Sequence, residues 1–278
     1  LAARAKERGI PVFSYIPPSA WAWRKGRAKS CAALADEIVA IFPHELPPYE
    51  AAGANISFVG NPLIDTVRAE MEPEEACRHF GIEENDVPIL LMPGSRCEEI
   101  ERLLPPMLGA AEILQTRDPA RHFFLPVAGG VDEQRIEEHL AASPVEVTLT
   151  HDARYALMKA ARAAIAASGT VVMEAAVMGL PAVVLYRMSA LSYFVGRLLV
   201  DVPRFSLPNI LLGETFETEL LQGAVQPERI AAAMEPIIAD GEARSYVMER
   251  LARAVEMLGE PHAARRVAEK IIALGRRV

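Results

Sequence analysis

Ile89-Leu90-Leu91-Met92-Pro93-Gly94-Ser95-Arg96 runs from an unbroken apolar segment into a Pro-Gly turn. A helical pattern follows, in which Ile100, Leu103, Leu104, Met107 and Leu108 cover one face of residues 98–115. A strand that is apolar at successive positions is buried on both faces, as in a parallel sheet covered by helices. Outward from this stretch the alternation repeats. Short apolar or β-branched runs at 12–16, 38–41, 56–59, 122–127, 145–149, 163–166 and 182–186 alternate with longer amphipathic segments. Such alternation predicts an α/β chain built on doubly wound parallel sheets.

The third run ends at Gly60-Asn61-Pro62, and a charged, Pro-containing stretch leads to the run at 89. Two lobes are therefore expected. Residues 1–62 hold only three candidate strands and open partway through a helix without an initiator Met, so they read as the truncated remnant of a larger lobe. Residues 63–225 read as the nucleotide-binding lobe. From 226 to 278 the pattern is helical alone, with apolar positions at Ile230, Met234, Ile237, Met248, Leu251, Val255, Val267, Ile271 and Leu274. These helices are expected to pack across lobes or between subunits.

A chain of 278 residues with 51% hydrophobic and 24% charged residues can bury a large core and is not disordered. Its formal net charge of -8 argues against nonspecific binding to nucleic acid phosphates. Cys31, Cys77 and Cys97 are odd in number and widely spaced, which fits neither a disulfide framework nor a zinc site and suits a reducing cytoplasm. Residues 1–8 lack the apolar core of a secretory signal, and the charge-free stretches flanking Glu174 fall short of the ~20 residues of a spanning helix. No ATP loop, His-Glu-x-x-His or Asp-x-Asp element occurs, so metal-independent chemistry without a cofactor is expected.

Pro93-Gly94-Ser95-Arg96 lies where a strand gives way to a helix. There, free backbone N–H groups and the helix dipole favour an anion, Gly94 admits close approach, and Arg96 can fork onto phosphate oxygens. The plainer account is a turn in which Ser95 caps the helix and Arg96 pairs with Glu99 or Glu101. Ser168-Gly169-Thr170 repeats the arrangement after the run at 163, ahead of a helix carrying Glu174. Two such turns in one lobe form the crevice in which doubly wound proteins hold nucleotides, and a carboxylate one turn in can accept both ribose hydroxyls. Glu174 could instead merely complement the helix dipole; among Val172, Met173, Ala175 and Ala176 it needs a partner. Ser206-Leu207-Pro208-Asn209 is a short rigid segment able to present Asn209 to a base or a phosphate.

Several of these segments occur in a telling order: Tyr15-Ile16-Pro17-Pro18-Ser19-Ala20-Trp21-Ala22-Trp23-Arg24, Phe58-Val59-Gly60-Asn61-Pro62-Leu63, Pro93-Gly94-Ser95-Arg96 with Glu99, Ser168-Gly169-Thr170 with Glu174, Tyr186-Arg187-Met188, and Ser206-Leu207-Pro208-Asn209. Over nearly its whole length the chain resembles the lipid-A-disaccharide synthases. The resemblance implies two lobes of GT-B type and an inverting, metal-free transfer of 2,3-diacylglucosamine from UDP to 2,3-diacylglucosamine 1-phosphate, forming the β-1,6 disaccharide of lipid A. It implies that Gly94, Ser95 and Arg96 hold the diphosphate, Glu174 the ribose, and Ser168, Gly169, Thr170 and Asn209 the rest of UDP. Ser19, Trp21, Trp23, Asn61 and Arg187 fall to the acceptor or the lobe junction. The general base is expected upstream of Leu1, so a chain without turnover stays open. Asn61 stands where the family often has His, and His44 where it often has Phe. The same donor elements suit another UDP-sugar enzyme, such as the peptidoglycan N-acetylglucosaminyltransferase or a UDP-sugar epimerase, and also a nucleotide-binding module. The implied partners are a UDP-sugar, an acylated sugar phosphate and the inner-leaflet membrane surface, with a homodimer as a further expectation and a cytoplasmic, peripheral location.

Trp21 and Trp23 precede Arg24, Lys25, Arg27 and Lys29, which suits an acylated sugar phosphate or an anionic membrane, and equally suits core tryptophans beside a solvated helix face. Leu191, Phe194, Val195, Leu198 and Leu199 form an apolar stripe that is more often core than a lipid contact. Asp152 is expected to cap the helix that follows it.

Overall fold

A computed structural model describes residues 1–20, 26–189 and 203–276. They cluster into two compact units, 1–66 with 256–276 and 67–189 with 204–255. Trp21, Trp23 and the stripe at 191–199 lie outside the described residues.

The first unit holds a three-stranded parallel sheet, β1 (Phe13–Tyr15), β2 (Glu37–Ala40) and β3 (Ile56–Phe58), in sequence order. All four residues of β2 are buried, and the carboxylate of Glu37 is matched at 2.7 Å by Lys270 Nζ from the helix Ala263–Gly275. That helix joins this unit because Asp65 accepts from the backbone N–H of His262 at 2.6 Å and of Ala263 at 3.0 Å, satisfying amides that a helix start leaves unpaired. Arg266 completes the seam with a 2.7 Å bond to the Val59 carbonyl. Tyr49, fully buried, donates its hydroxyl to the Pro18 carbonyl at 2.7 Å and ties the segment after β1 to the core.

The second unit is a six-stranded sheet of β4 (Val87–Met92), β5 (Arg121–Pro126), β6 (Val147–Thr150), β7 (Ala163–Ala167), β8 (Ala182–Tyr186) and β9 (Glu219–Leu221). Every pairing is parallel and the order is β6-β5-β4-β7-β8-β9. Each strand run predicted from the sequence is present. Strand β9 was not foreseen: it has three half-buried residues and begins with a glutamate, too short to show a period. Leu90, Met92, Ala164, Ala166, Ala182 and Val184 share one buried cluster with Leu157, Val172 and Ala175, which places the helices Arg154–Ala160 and Thr170–Val177 on that face. The alternate residues Leu91, Ile165 and Val183 point the other way. There the helices Cys97–Arg117 and Pro227–Ile238 pack on each other and on β7.

Two local expectations are corrected. Asp152 does not cap the following helix; the N-cap position is Ala153, Asp152 pairs with His79 at 3.2 Å, and Glu70 supplies the missing acceptor to Ala156 N at 2.9 Å. Ser206 to Asn209, expected as a short rigid segment, is the opening of the helix Leu207–Leu212, with Ser206 at the N-cap position and Pro208 in the first turn, where its missing N–H costs nothing.

Gly60 has φ +104, and a Cβ there would sit 2.9 Å from both the Glu260 carbonyl oxygen and Arg266 Nη2. Gly60→Ala is expected to lower stability by about 1–3 kcal/mol, through the strained φ and the displaced seam. Urea unfolding reads this directly, and an unchanged midpoint would refute it.

Candidate functional site

Helices must leave adjacent parallel strands over one face or the other. After β4 the chain crosses to the face of helix Cys97–Arg117, and after β7 to the face of helix Thr170–Val177. The two turns diverge between neighbouring strands, the crevice position of a doubly wound sheet. A cleft of about 400 Å³ opens there, lined by Pro93, Gly94, Ser95, Arg96 and Glu99 from the first turn and by Ser168, Gly169, Thr170 and Glu174 from the second.

On the first side, Gly94 takes φ +105, and any side chain on it would collide with Glu99. The N-cap position falls to Arg96 and not to Ser95. Glu99 reaches back instead, accepting from Arg96 Nη1 at 2.8 Å and from Arg96 N at 3.4 Å. The guanidinium is thus paired in the protein alone, while the Arg96 side chain stays 81% exposed and open to a competing anion.

On the second side, Ser168 Oγ donates to the Phe205 carbonyl at 2.8 Å, so its one proton is spent on structure while the oxygen can still accept. Gly169 is the N-cap of the helix that carries Glu174. Sequence reasoning asked for a partner to Glu174 and did not find it. The partner is Arg154, on the helix Arg154–Ala160, whose Nη2 lies 3.3 Å from Glu174 Oε2. Arg154 also lines the cleft and stacks over the Tyr155 ring at 4.6 Å. Its position depends on Ala153, a non-glycine residue at φ 46 immediately before it. No motif signals such a residue, because it reaches Glu174 from a separate crossover.

Asn209 is withdrawn from the ligand set. It is fully buried, its Nδ2 donates to the Glu217 carbonyl at 2.9 Å and to Glu219 Oε1 at 2.7 Å, and its Oδ1 accepts from Phe216 N at 3.0 Å and Glu217 N at 3.1 Å. A side-chain amide has nothing further to offer. Glu219 also accepts from Phe205 N at 3.0 Å and Ser206 N at 2.9 Å. Beside it Glu217, 2% exposed, is bonded to Ser206 Oγ at 2.9 Å and Ala182 N at 3.3 Å. Burial pushes the Glu217 carboxyl up to about 8, with the charge of Glu219 adding to the rise and the bonds from Ser206 and Ala182 opposing it. This polar knot fixes Phe205, and through Phe205 the Ser168 turn of the cleft.

The acceptor-side residues are divided between the two units. Asn61 is 1% exposed and also structural, donating to the Ile41 carbonyl at 2.8 Å and accepting from Leu63 N at 2.9 Å. Ser19 is exposed after Pro18, and Arg187 is exposed just beyond β8. Among the described residues no group of three or more His, Cys, Asp or Glu is arranged to hold a metal ion.

The strand order and its cleft define a doubly wound lobe of the GT-B fold. Solved structures of that fold include a UDP-GlcNAc 2-epimerase from Neisseria meningitidis bound to UDP-GlcNAc, with TM-score 0.68 and 16% identity over 98% of this chain and 72% of that one. Another is the S. aureus MnaA–UDP co-structure, with TM-score 0.67 and 14% identity over 97% and 71%. At such identities the likeness establishes the fold alone.

Residues 1–272 match the family described as lipid-A-disaccharide synthetase. Curated lipid-A-disaccharide synthases are similar across the chain: that of Syntrophus aciditrophicus is 44% identical over 99% of this chain and 72% of its own length, and that of Geobacter metallireducens 40% over 97% and 70%. The chain belongs to the lipid-A-disaccharide synthase family.

The polar knot carries a pH dependence. The folded chain keeps a proton on Glu217 that the unfolded chain releases above the ordinary value of 4.5. Its contribution to stability is therefore complete below that pH and is lost as pH rises through about 8, at about 1.4 kcal/mol per pH unit. Glu217→Gln, which is neutral throughout, should flatten this decline, so that thermal melts from pH 5 to 9 show the wild type falling relative to the variant. Parallel profiles would count against a protonated Glu217.

Proposed function

We propose that the cleft between the β4 and β7 turns is the UDP-sugar donor site of a lipid-A-disaccharide synthase. Family membership makes the chain a glycosyltransferase of lipid A biosynthesis, transferring 2,3-diacylglucosamine from UDP to 2,3-diacylglucosamine 1-phosphate with inversion. The observation that carries the site assignment is the meeting of two helix starts, Cys97–Arg117 and Thr170–Val177, in one cleft that also holds Arg96, Arg154, Glu99 and Glu174.

In this reading the diphosphate lies against Gly94, Ser95 and Arg96. The absence of a side chain on Gly94 lets the phosphate approach the backbone, and the dipole of the long helix favours its charge. Arg96 leaves Glu99 for the phosphate oxygens. Charge then builds on UDP as the glycosidic bond to it breaks, and a guanidinium with oriented amides stabilises that charge without reorganisation. Ser168, Gly169 and Thr170 support the remainder of UDP through backbone groups, and Glu174 accepts the ribose hydroxyls. Asn209 acts from behind by holding the Ser168 turn. The acceptor hydroxyl must lose its proton to a base, and no side chain of this chain is given that role.

The acceptor side belongs to the same proposal: Arg187, exposed just beyond β8, is its candidate contact in the second unit, and Ser19, exposed after Pro18, is its candidate in the first. Among the described residues no helix is long and apolar enough to cross a membrane. Substrates carrying acyl chains favour peripheral attachment at the inner leaflet, and helix pairing between two copies would give a homodimer.

Titration of UDP into the chain, with ADP as control and no added metal, tests the donor site. Saturable, UDP-selective binding is expected. Arg96→Ala should weaken it by ~1.5 to 3 kcal/mol through loss of a charge-assisted contact. Unchanged affinity in a folded variant would remove Arg96 from the diphosphate site. UDP binding without turnover of the two diacylated glucosamine substrates would identify a nucleotide-binding module.

A further inference from the structure

Arg154 is the feature of the cleft that neither the motifs nor the proposed reaction absorbs. It comes from the crossover after β6, not from either turn that flanks the reversal, yet it lines the same cavity. Its guanidinium is oriented on two sides. Nη2 donates to Tyr155 Oη at 2.5 Å and lies 3.3 Å from Glu174 Oε2, while the guanidinium carbon sits 4.6 Å above the centre of the Tyr155 ring. Tyr155 is itself half-buried against the core cluster that includes Leu157 and Val172, so the platform under Arg154 is anchored on the body of the unit. Glu70 bonds Ala156 N at 2.9 Å and fixes the start of the same short helix.

We infer that Arg154 is a positioning residue for Glu174: it holds one carboxylate oxygen and turns the other to the ribose of the bound nucleotide. This rests on the reading of the cleft as a UDP-sugar donor site with Glu174 at the ribose. A glutamate side chain has three rotatable bonds, and in a cleft open to water an unheld carboxylate would sample several rotamers. Accepting two neighbouring hydroxyls requires a single one. The ion pair with Arg154 selects it by gripping Oε2, and the Tyr155 ring and hydroxyl in turn select the guanidinium orientation. Ligand recognition at one carboxylate thus depends on an arginine that need not touch the ligand, much as outer partners orient catalytic side chains elsewhere. The Tyr155 ring and hydroxyl favour this role over direct capture of the diphosphate, because they fix the Arg154 guanidinium in place, whereas Arg96, paired with Glu99 but 81% exposed, is free to change partners.

The test compares UDP with 2′-deoxy-UDP by calorimetric titration into the wild type, Arg154→Ala, Tyr155→Phe, Glu174→Ala and the Arg154→Ala/Glu174→Ala pair, with thermal melts to verify folding. The wild type should prefer UDP. Arg154→Ala should lose most of that preference, roughly tenfold if it amounts to one good hydrogen bond, and adding it to Glu174→Ala should change the preference no further. Tyr155→Phe, which keeps the core contact and removes one hydroxyl, should lose part of the preference and serves if Arg154→Ala does not fold. An undiminished preference in folded Arg154→Ala, or equal weakening of both nucleotides, overturns the positioning role and in the second case assigns Arg154 to the phosphates. A wild type that does not bind UDP defeats the donor-site reading. One that binds UDP without preferring the ribose defeats the assignment of Glu174, and this inference with it.

Discussion

Parallel strands cannot be joined by tight turns, so each must be left by a crossover on one face of the sheet. In the second unit of this chain the crossovers after β4 and β7 go to opposite faces, and the cleft exists because of that divergence. Each strand end there delivers a helix start, with its unpaired amides and positive dipole end, into the same cleft. The fold thus concentrates anion-binding capacity at one point before any charged side chain is counted. Arg96, Glu99, Arg154 and Glu174 then tune a place that the sheet has already made.

That tuning is balanced. Each arginine of the cleft is matched with a glutamate, Arg96 with Glu99 and Arg154 with Glu174. The balance lets a narrow cleft hold several charges in the absence of ligand, because exposed and half-exposed ion pairs cost little and are readily exchanged. The two pairs differ in character. Arg96 is largely solvated and free to change partners, whereas Arg154 is oriented by an aromatic ring and a phenolic hydroxyl. One suits a group that follows charge as it develops; the other suits a group that stays in place.

Behind the cleft, buried Ser206, Asn209 and Glu217 and half-buried Glu219 form a polar knot. Such a network is stable only when its members are satisfied, and here Asn209 uses every bond it can make. Directional bonds through Phe205 to Ser168 restrict how that turn can shift more than apolar packing alone would. Residues that look like ligand contacts in a motif can therefore serve the site from within the protein.

The α/β class, the strand runs from 12 to 186 and the two phosphate-suited turns were legible because each rests on local pattern: apolar runs, helix spacing, and Gly or Ser at a strand end. The family resemblance lay in the same short segments, and the match over residues 1–272 agrees with it. Strand β9, the partner of Glu174 and the duties of Asn61 and Asn209 were not legible. Each depends on a residue far away in the chain, Arg154 for Glu174, Ile41 for Asn61, Glu217 and Glu219 for Asn209. A side-chain amide or carboxylate reads the same in sequence whether it faces a ligand or a buried carbonyl. Periodicity records which way a residue points along its own element, and so the sequence by itself determined the elements and their turns. Only the tertiary structure, by choosing the strand order β6-β5-β4-β7-β8-β9, decided which of those turns meet and which polar side chains remain free to bind.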